Sequence, residues 1–506
     1  MSKITKQDVV DWANKYLGPE SYAIIYKREG KDPDEQKIAA PKITPIVTNR
    51  DSQSEFLSEI QTSQVQPIEP VFVDYKKDMS QFEAQPGIDV LYKKNETNDI
   101  FTLIYVFNTG TENDPALNLA FNYLSYLGTD KMTAEEIASE MYDIACSFYM
   151  NAGANQSSIQ ITGLSENMGK AMEIVEGLIA GAKPDEAILE NLKSDMLKSR
   201  ADAKLNQSRC FGALQRYLFY GGDFIRRTTL TDPALQALTS EQLLAKIGDL
   251  MGKQHEVLYY GPQKETEIKS ALAEHHKVAA DLQPLEKKFS ALLPTDANKV
   301  VLAQYDAKQL YYLQFSNRGE KFDVAADPEI TLYNEYFGGG MNTIVFQEMR
   351  EARGLAYSAW ATLATPSNAN GDYSYYAFIA TQNDKMQKAV EAFDDIINNM
   401  PESEKAFGIA KEALVSRLRT ERTVKDGVLW SYLRARDLGL DAPRDKQIFE
   451  KVQSMTLDDV KAAQQKWVKG RKYVYGILGD IQDLDLNYLK TLGPIQTVSQ
   501  EEIFGY

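Results

Sequence analysis

The chain has 506 residues, more than one hydrophobic core usually organises, so two or three domains are expected. Its proportions of hydrophobic residues (43%) and charged residues (25%) are typical of a water-soluble globular protein. The formal net charge of -16 argues against nucleic-acid binding, because no basic patch would easily offset that field.

Neither the cysteines nor the apolar segments indicate a redox framework or a membrane span. Cys146 and Cys210 form no C-x-x-C motif, and each is expected to be a small buried apolar residue. The amino-terminal segment lacks the apolar centre of a secretory signal and is expected to form an amphipathic helix. No run of about 18 apolar residues occurs in the sequence.

The first predicted element is a threonine-capped amphipathic helix followed by a short aromatic strand, within residues 4–30. The same plan returns from Leu238 and from Met455, so it is an internal repeat. In each copy a threonine lies three residues before an acidic residue or a glutamine, which predicts a capping box. These pairs are Thr5–Asp8, Thr239–Gln242 and Thr456–Asp459, and the strands that follow are predicted at Tyr22–Tyr26, Glu256–Tyr260 and Lys472–Leu478.

The first copy of this helix–strand unit has no strands in front of it. Because a lone helix and strand cannot bury their apolar faces, residues 1–30 are interpreted as the closing part of a truncated preceding domain. Residues 31–75 are rich in Pro, Ser and Gln and show no period, which predicts an interdomain linker. The chain is therefore expected to be a processed half or another piece of a longer protein.

Two longer segments then repeat each other at a spacing of roughly 215 residues, the size of one large domain. For example, NYLSYLGT, which begins at Asn122, matches EYFGGG, which begins at Glu335. Each copy opens with two strands and closes with the helix–strand unit. The predicted fold class is α+β, with two tandem homologous domains, 76–283 and 284–506, each an antiparallel sheet with helices packed on one face.

The most specific segment is Phe337–Ser358, which reads FGGGMNTIVFQEMREARGLAYS. It places Arg350 and Tyr357 seven residues apart, across Gly354. This pattern resembles the second half of the pitrilysin/insulinase family of zinc metallopeptidases (the inverzincins), of the bacterial type. The resemblance implies a fold shared with the processing peptidases. It also implies that Arg350 and Tyr357 are catalytic residues that reach across a closed chamber to the substrate carbonyl and the oxyanion.

Without the family, the same two side chains have simpler interpretations. Arg350 would be a solvated helix residue that pairs with Glu348 or Glu351. Tyr357 would be a half-buried aromatic residue in a strand. The match in residue type, spacing and flanking Gly354 favours the family interpretation.

The three glycines Gly338, Gly339 and Gly340 do not form a phosphate-binding loop, because no Lys-Ser/Thr pair follows them. They are predicted to be substrate-binding, flexible backbone that leads into a helix, with Asn342 as the helix cap.

The zinc motif of the family, H-x-x-E-H, is absent from the sequence. In family domains that helix runs into a Gly-Thr pair. Counting back from Gly128-Thr129 puts Leu119 and Tyr123 at the ligand positions and Asn122 at the carboxylate position. Leucine has no lone pair and asparagine cannot take a proton from water, so the helix is expected without its metal.

The sequence contains three histidines, His255, His275 and His276. His255 lies in a predicted strand and is expected to be a hydrogen-bonded structural residue. The adjacent His275 and His276 would point about 100° apart on a helix and cannot share a metal. No metal site is expected from this chain alone, because zinc needs several converging ligands.

The resemblance therefore implies the C-terminal, non-zinc-binding half of a zinc metalloendopeptidase, which binds peptide substrate and is inactive alone. No cofactor is expected in this chain; zinc is expected in a complementary N-terminal half or subunit that carries H-x-x-E-H. The alternative is a catalytically inactive structural or partner subunit of the same fold. The protein is expected to be soluble, in the bacterial cytoplasm or periplasm, and the sequence leaves its substrate, compartment and oligomeric state open.

Overall fold

The computed structural model describes residues 3–20, 22–26, 30, 54–64 and 66–506. The chain divides into two compact units, residues 1–67 and residues 68–506. None of the described helices is long and apolar enough to cross a membrane.

The first unit contains helix α1 (Lys6–Tyr16), as predicted. Its capping box is present, because Thr5 Oγ1 accepts from Asp8 N at 3.2 Å and Thr5 N donates to Asp8 Oδ2 at 2.7 Å. No residue of α1 is buried, and Trp12 is 57% exposed. The local signal in the sequence was therefore sufficient to predict this helix.

Two other features of the first unit differ from the prediction. A second helix, α2 (Glu55–Thr62), is capped by Ser54 within the segment that was predicted to be a linker. The prediction of a strand at Tyr22–Tyr26 is wrong, because these residues pair with no strand in the described part of the chain. Residues 31–53 of the predicted linker lie outside the described residues.

The second unit contains all twelve strands of the described chain: β1 (Ser80–Gln85), β2 (Ile88–Lys94), β3 (Ile100–Phe107), β4 (Cys146–Ala152), β5 (Ser157–Leu164), β6 (His255–Gly261), β7 (Lys299–Gln304), β8 (Gln309–Ser316), β9 (Ser358–Ala364), β10 (Ser374–Gln382), β11 (Val474–Gly479) and β12 (Ile495–Val498). Its α-helices are α3 (Leu117–Leu124), α4 (Ala134–Asp143), α5 (Met168–Gly181), α6 (Glu186–Lys204), α7 (Gln207–Thr228), α8 (Asp232–Ala237), α9 (Ser240–Met251), α10 (Glu265–His275), α11 (Asp327–Tyr333), α12 (Ile344–Phe346), α13 (Met386–Asn398), α14 (Glu404–Thr420), α15 (Gly427–Asp437), α16 (Arg444–Val452), α17 (Leu457–Ala463), α18 (Leu486–Leu492) and α19 (Gln500–Phe504). Three further segments are π-helical: Asn334–Gly338, Gln347–Ala352 and Gln464–Val468.

The strands form two six-stranded sheets with related topology. Their orders are β1-β2-β6-β3-β5-β4 and β12-β7-β11-β8-β10-β9. After the first strand, the two orders correspond position by position, with β6 and β11 as the equivalent closing strands. The predicted α+β fold with an internal repeat is confirmed, and the closing strands lie where the second and third helix–strand units were predicted.

The sheets are mixed, whereas wholly antiparallel sheets were predicted. Strand β2 pairs with β6 in parallel, and β7 pairs in parallel with both β11 and β12. A parallel pair needs a long connection, and here the strands and helices between β2 and β6, and between β7 and β11, provide it.

One face of each sheet packs on helices from its own part of the chain. Val257 of β6 and Val175 of α5 lie in the first core, and Ile477 of β11 and Val390 of α13 lie in the second. All four side chains are at most 1% exposed. Each sheet therefore has its own hydrophobic core on this face.

The other face of each sheet is covered by a helix from the opposite half of the sequence. Leu214 of α7 packs in a cluster with Val301 of the second sheet. Leu429 of α15 packs in a cluster with Leu91 of the first sheet. Helices α7 and α15 are thus exchanged between the two halves of the sequence. The prediction that helices cover one face of each sheet is incomplete, because helices bury apolar residues on both faces of the central strands.

Candidate substrate-contact site

The segment from Phe337 to Ser358 consists of two helical pieces, a turn and the start of a strand. Helix α12 continues directly into the π-helical turn Gln347–Ala352, and β9 begins at Ser358. Gly354 has φ 57°, in the left-handed region that glycine adopts at low cost. This turn reverses the chain and brings the residue before β9 back to the helical piece.

Arg350 lies on the π-helical turn, and the reversal places it against Tyr357. Its Nη1 donates to the Tyr357 carbonyl oxygen at 3.2 Å. Its guanidinium carbon lies 4.6 Å from the centre of the Tyr357 ring, within the range of a cation–π contact. Widened π-helical turns are frequent at functional sites.

Both side chains are accessible to a ligand. The Tyr357 residue is 72% exposed, and its hydroxyl has no hydrogen-bond partner among the described residues. The interpretation of Tyr357 as a half-buried strand residue is therefore wrong, because it precedes β9 and projects into solvent. The Arg350 side chain is 37% exposed, and its Nε lies 3.6 Å from Glu351 Oε1, one of the two predicted ion-pair partners.

The triple glycine has a packing role that the sequence did not reveal. Gly338 is buried, and a Cβ at this position would lie 2.8 Å from the carbonyl oxygen of Ala361 on β9. A Cβ on Gly339 would meet the Trp360 Cβ at 3.3 Å. These glycines therefore let the chain lie close to the edge strand, and substrate binding by Gly338–Gly340 stays a prediction.

The helix cap after the glycines is one residue later than predicted. Thr343, with φ -77° and ψ 157°, is the N-cap residue of α12, and the predicted cap Asn342 precedes it. The Thr343 hydroxyl donates to the Gly340 carbonyl oxygen at 2.7 Å and so closes the preceding turn.

The three positions that the family resemblance equates with the zinc motif lie on a helix, α3, as the sequence predicted. Leu119 and Tyr123 are buried, whereas Asn122 is exposed. The Tyr123 hydroxyl accepts from Asp185 N at 2.7 Å and lies 2.7 Å from Ser240 Oγ. These side chains do not fit a zinc site. Leu119 has no atom that can bind a metal, and the buried Tyr123 hydroxyl is already hydrogen-bonded within the protein.

A buried chain of histidines was not predicted. His255 Nδ1 donates to the Lys253 carbonyl oxygen at 2.8 Å, and His255 Nε2 lies 2.8 Å from His276 Nε2. His276 Nδ1 in turn lies 2.5 Å from Glu176 Oε1. The structural role of His255 is thus confirmed, but its partner is 21 residues away in sequence and no local signal pointed to it.

This chain of hydrogen bonds is not a metal site. The two Nε2 atoms face each other across one shared proton, and an ion about 2.0–2.1 Å from each nitrogen would not fit between them. No group of three or more possible ligands was found in the described part of the chain.

We expect the stability of the second unit to fall as the pH drops from about 6.5 towards 4. Burial, and then the neighbouring His276, lowers the pKa of His255 from 6.5 to about 4. Between these two values the unfolded chain binds a proton that the folded chain does not, which removes about 3 kcal/mol from the free energy of unfolding. Urea titrations at several pH values would measure this slope. His255→Gln should reduce the slope of the free energy of unfolding against pH, whereas His275→Gln should leave it unchanged. Equal slopes in both variants would contradict the assignment of this pH dependence to His255.

We expect the purified chain to contain no stoichiometric zinc and to hydrolyse no peptide. The reason is that Leu119, Asn122 and Tyr123 supply neither ligands nor a base. Elemental analysis together with a peptidase assay would test this expectation. One tightly bound zinc per chain, removed by a chelator together with activity, would contradict it.

Comparisons with known proteins found a family model, sequence relatives and solved structures similar to this chain. Residues 253–414 match the family model for the peptidase M16 inactive domain. The chain is 22% identical over 266 residues to an uncharacterized zinc protease of Streptomyces coelicolor, over 49% of this chain and 56% of that protein. It resembles the crystal structure of a peptidase M16 inactive domain from Pseudomonas fluorescens (TM-score 0.63, 18% identity, 79% of this chain and 98% of that chain). It also resembles the periplasmic protease PqqL from Escherichia coli (TM-score 0.59, 13% identity, 94% of this chain and 51% of that chain).

These matches confirm the resemblance to the non-zinc half of the pitrilysin/insulinase, or M16, peptidases. The two structural matches show similarity of fold only, because their sequence identities are low. The chain spans about half the length of the Streptomyces protein and of PqqL (56% and 51%).

Proposed function

Because this chain carries a peptidase M16 inactive domain, we propose that it is the C-terminal, non-zinc-binding half of a zinc metalloendopeptidase. The observation that carries this proposal is the exposed Arg350–Tyr357 pair, held together by the Gly354 turn beside the start of β9. In the assembled enzyme, this pair contacts the peptide at the bond to be cleaved.

The two side chains have complementary tasks in this proposal. Arg350 uses one N–H to hold Tyr357, and its remaining donors bind the carbonyl oxygen of the substrate. The Tyr357 hydroxyl, free of any described partner, donates to the oxyanion that develops from the attacked carbonyl. Zinc in the complementary half would supply the activated water.

The division of the chain also belongs to the proposal. Residues 76–283 form an inactive peptidase-like domain, and residues 284–506 form the domain with the Arg350–Tyr357 pair. The shared strand order of the two sheets supports this division. Residues 1–30 and 31–75 are assigned to a preceding domain and a linker.

The alternative is a structural or partner subunit of the same fold that takes no part in catalysis. The degenerate motif on α3 fits this alternative as well as it fits an inactive domain of an enzyme. The two differ in what Arg350 and Tyr357 do, since a structural subunit gains nothing from an exposed tyrosine hydroxyl next to a guanidinium.

Reconstitution tests the proposal directly. The chain is mixed with each H-x-x-E-H-bearing chain encoded in the same genome, and cleavage of quenched fluorescent peptides is measured. Hydrolysis that requires both chains supports the proposal. Activity of a zinc-bearing chain that is unchanged by addition of this one, despite a stable complex, favours the structural subunit.

A further inference from the structure

A cavity of about 480 Å³ lies beside the degenerate helix α3 and is distinct from the Arg350–Tyr357 pair. Its volume is in the range of small-ligand sites. Leu119, which stands at a lost zinc-ligand position, contributes to its wall together with Met196 and Ile503. The cavity also contains two arginines, Arg200 and Arg216, which differ in what they bind.

Arg200 is already paired within the protein. Its guanidinium binds the Asp232 carboxylate and donates to the Leu230 carbonyl oxygen at 2.6 Å. It also lies 4.4 Å from the centre of the Tyr506 ring. Arg200 therefore forms part of the wall and has its charge neutralised.

Arg216, in contrast, has no carboxylate within 4.0 Å among the described residues. Its one hydrogen bond runs from Nη2 to Thr228 Oγ1 at 2.6 Å. In a straight helix, Arg216 and Thr228 would be roughly 18 Å apart along the axis. The reversal of α7 at Gly221 (φ 82°) brings them together. The guanidinium is thus fixed at the cavity with most of its five donors unused.

Other groups in the cavity point to the kind of ligand. Burial lowers the pKa of Arg216, and the negative charge of Glu112, which forms no ion pair with it, opposes this shift. The Thr229 hydroxyl is buried within the cavity wall and has no hydrogen-bond partner among the described residues. Glu112 also lines the cavity, and its carboxylate accepts from Ser290 Oγ at 2.5 Å.

We propose that this cavity binds the carboxylate of a peptide, through a salt bridge to Arg216, with an adjacent apolar side chain against Leu119 and Met196. A guanidinium fork matches a carboxylate in geometry. A phosphate is disfavoured, because its second negative charge would face Glu112, and the described residues of the cavity wall offer no second cation free of a carboxylate. The carboxylate can belong to a peptide C-terminus or to an acidic side chain.

Binding to the full chain alone tests this site, so its failure is distinguishable from failure of the zinc-half proposal. The probes are N-acetyl-leucine, N-acetyl-leucinamide and N-acetyl-glutamic acid α-amide, measured by ligand-observed NMR. We expect N-acetyl-leucine to bind at least about tenfold more tightly than its amide, the range of a charge-assisted hydrogen bond. Binding of the glutamic acid probe would identify side-chain carboxylates as ligands as well. Equal binding of acid and amide, or no binding of either carboxylate, would overturn the proposal.

Three variants locate the bound carboxylate. Arg216→Gln should weaken N-acetyl-leucine binding by roughly tenfold to a hundredfold. Arg434→Gln, at an exposed arginine of α15 that does not line the cavity, should not change it. Glu112→Gln should strengthen binding, because it removes a negative charge from the cavity. Full affinity in Arg216→Gln, or weaker binding in Glu112→Gln, would refute the assignment. Thermal unfolding of each variant shows whether it is folded, and the comparison of acid with amide needs no variant.

Discussion

Tyr357→Phe is expected to lower kcat by about 10²–10³ in the enzyme reconstituted with its zinc-bearing half, or roughly 3–4 kcal/mol of transition-state stabilisation. The substitution removes only the hydroxyl that we assign to the oxyanion. Substrate binding should change little, because this contact is strongest in the transition state. Thermal stability should also be unchanged, since the residue is 72% exposed and its hydroxyl has no described partner.

Steady-state kinetics and thermal unfolding of the same preparations would check this expectation. Tyr149→Phe is the matched control, because Tyr149 is also exposed (65%) and lies on β4, the edge strand equivalent to β9. Arg350→Ala should raise KM as well as lower kcat, since the guanidinium also binds the ground-state peptide. Near-normal kcat in Tyr357→Phe, together with a melting temperature several degrees lower, would make Tyr357 a packing residue.

Leu429→Ala is expected to destabilise the second unit by about 3–5 kcal/mol, the cost of a cavity at a fully buried leucine. Leu429 lies on α15 and packs in the cluster that covers the outer face of the first sheet. The damage should therefore appear in β2, β3 and β6, which precede Leu429 by well over a hundred residues. Hydrogen exchange read out by mass spectrometry would measure the loss of protection in these strands.

The control for Leu429→Ala is Ile409→Ala on α14, whose side chain is 41% exposed and should cost far less. If Leu429→Ala deprotects only the second sheet and leaves β2, β3 and β6 unchanged, the exchanged helix does not stabilise the first sheet. The two domains would then be independent folding units, which the reciprocal packing of α7 and α15 argues against.

The sequence by itself determined the features that depend on neighbouring residues. The capping boxes at Thr5 and Thr239 are present, and at Thr456 the backbone N donates to Asp459 Oδ2 at 2.7 Å, because each joins groups three residues apart in the chain. Helix α3, which carries Leu119, Asn122 and Tyr123, is present for a similar reason, since its apolar period is local. The repeat of two α+β sheets followed from two copies of one pattern of strands and helices.

Only the tertiary structure decided the features that join distant parts of the chain. The prediction of a strand at Tyr22–Tyr26 was wrong, because a strand forms only when it pairs with another strand, and residue propensity does not provide that partner. Three features arise from contacts that no local pattern encodes: the pairing of His255 with His276, the exchange of α7 and α15, and the hydrogen bond from Arg216 to Thr228. For the Arg350–Tyr357 pair, the sequence supplied the residues and their spacing. The left-handed turn at Gly354 then placed the arginine against the tyrosine, because only a reversal of the chain brings residues on a helix and before a strand within contact distance.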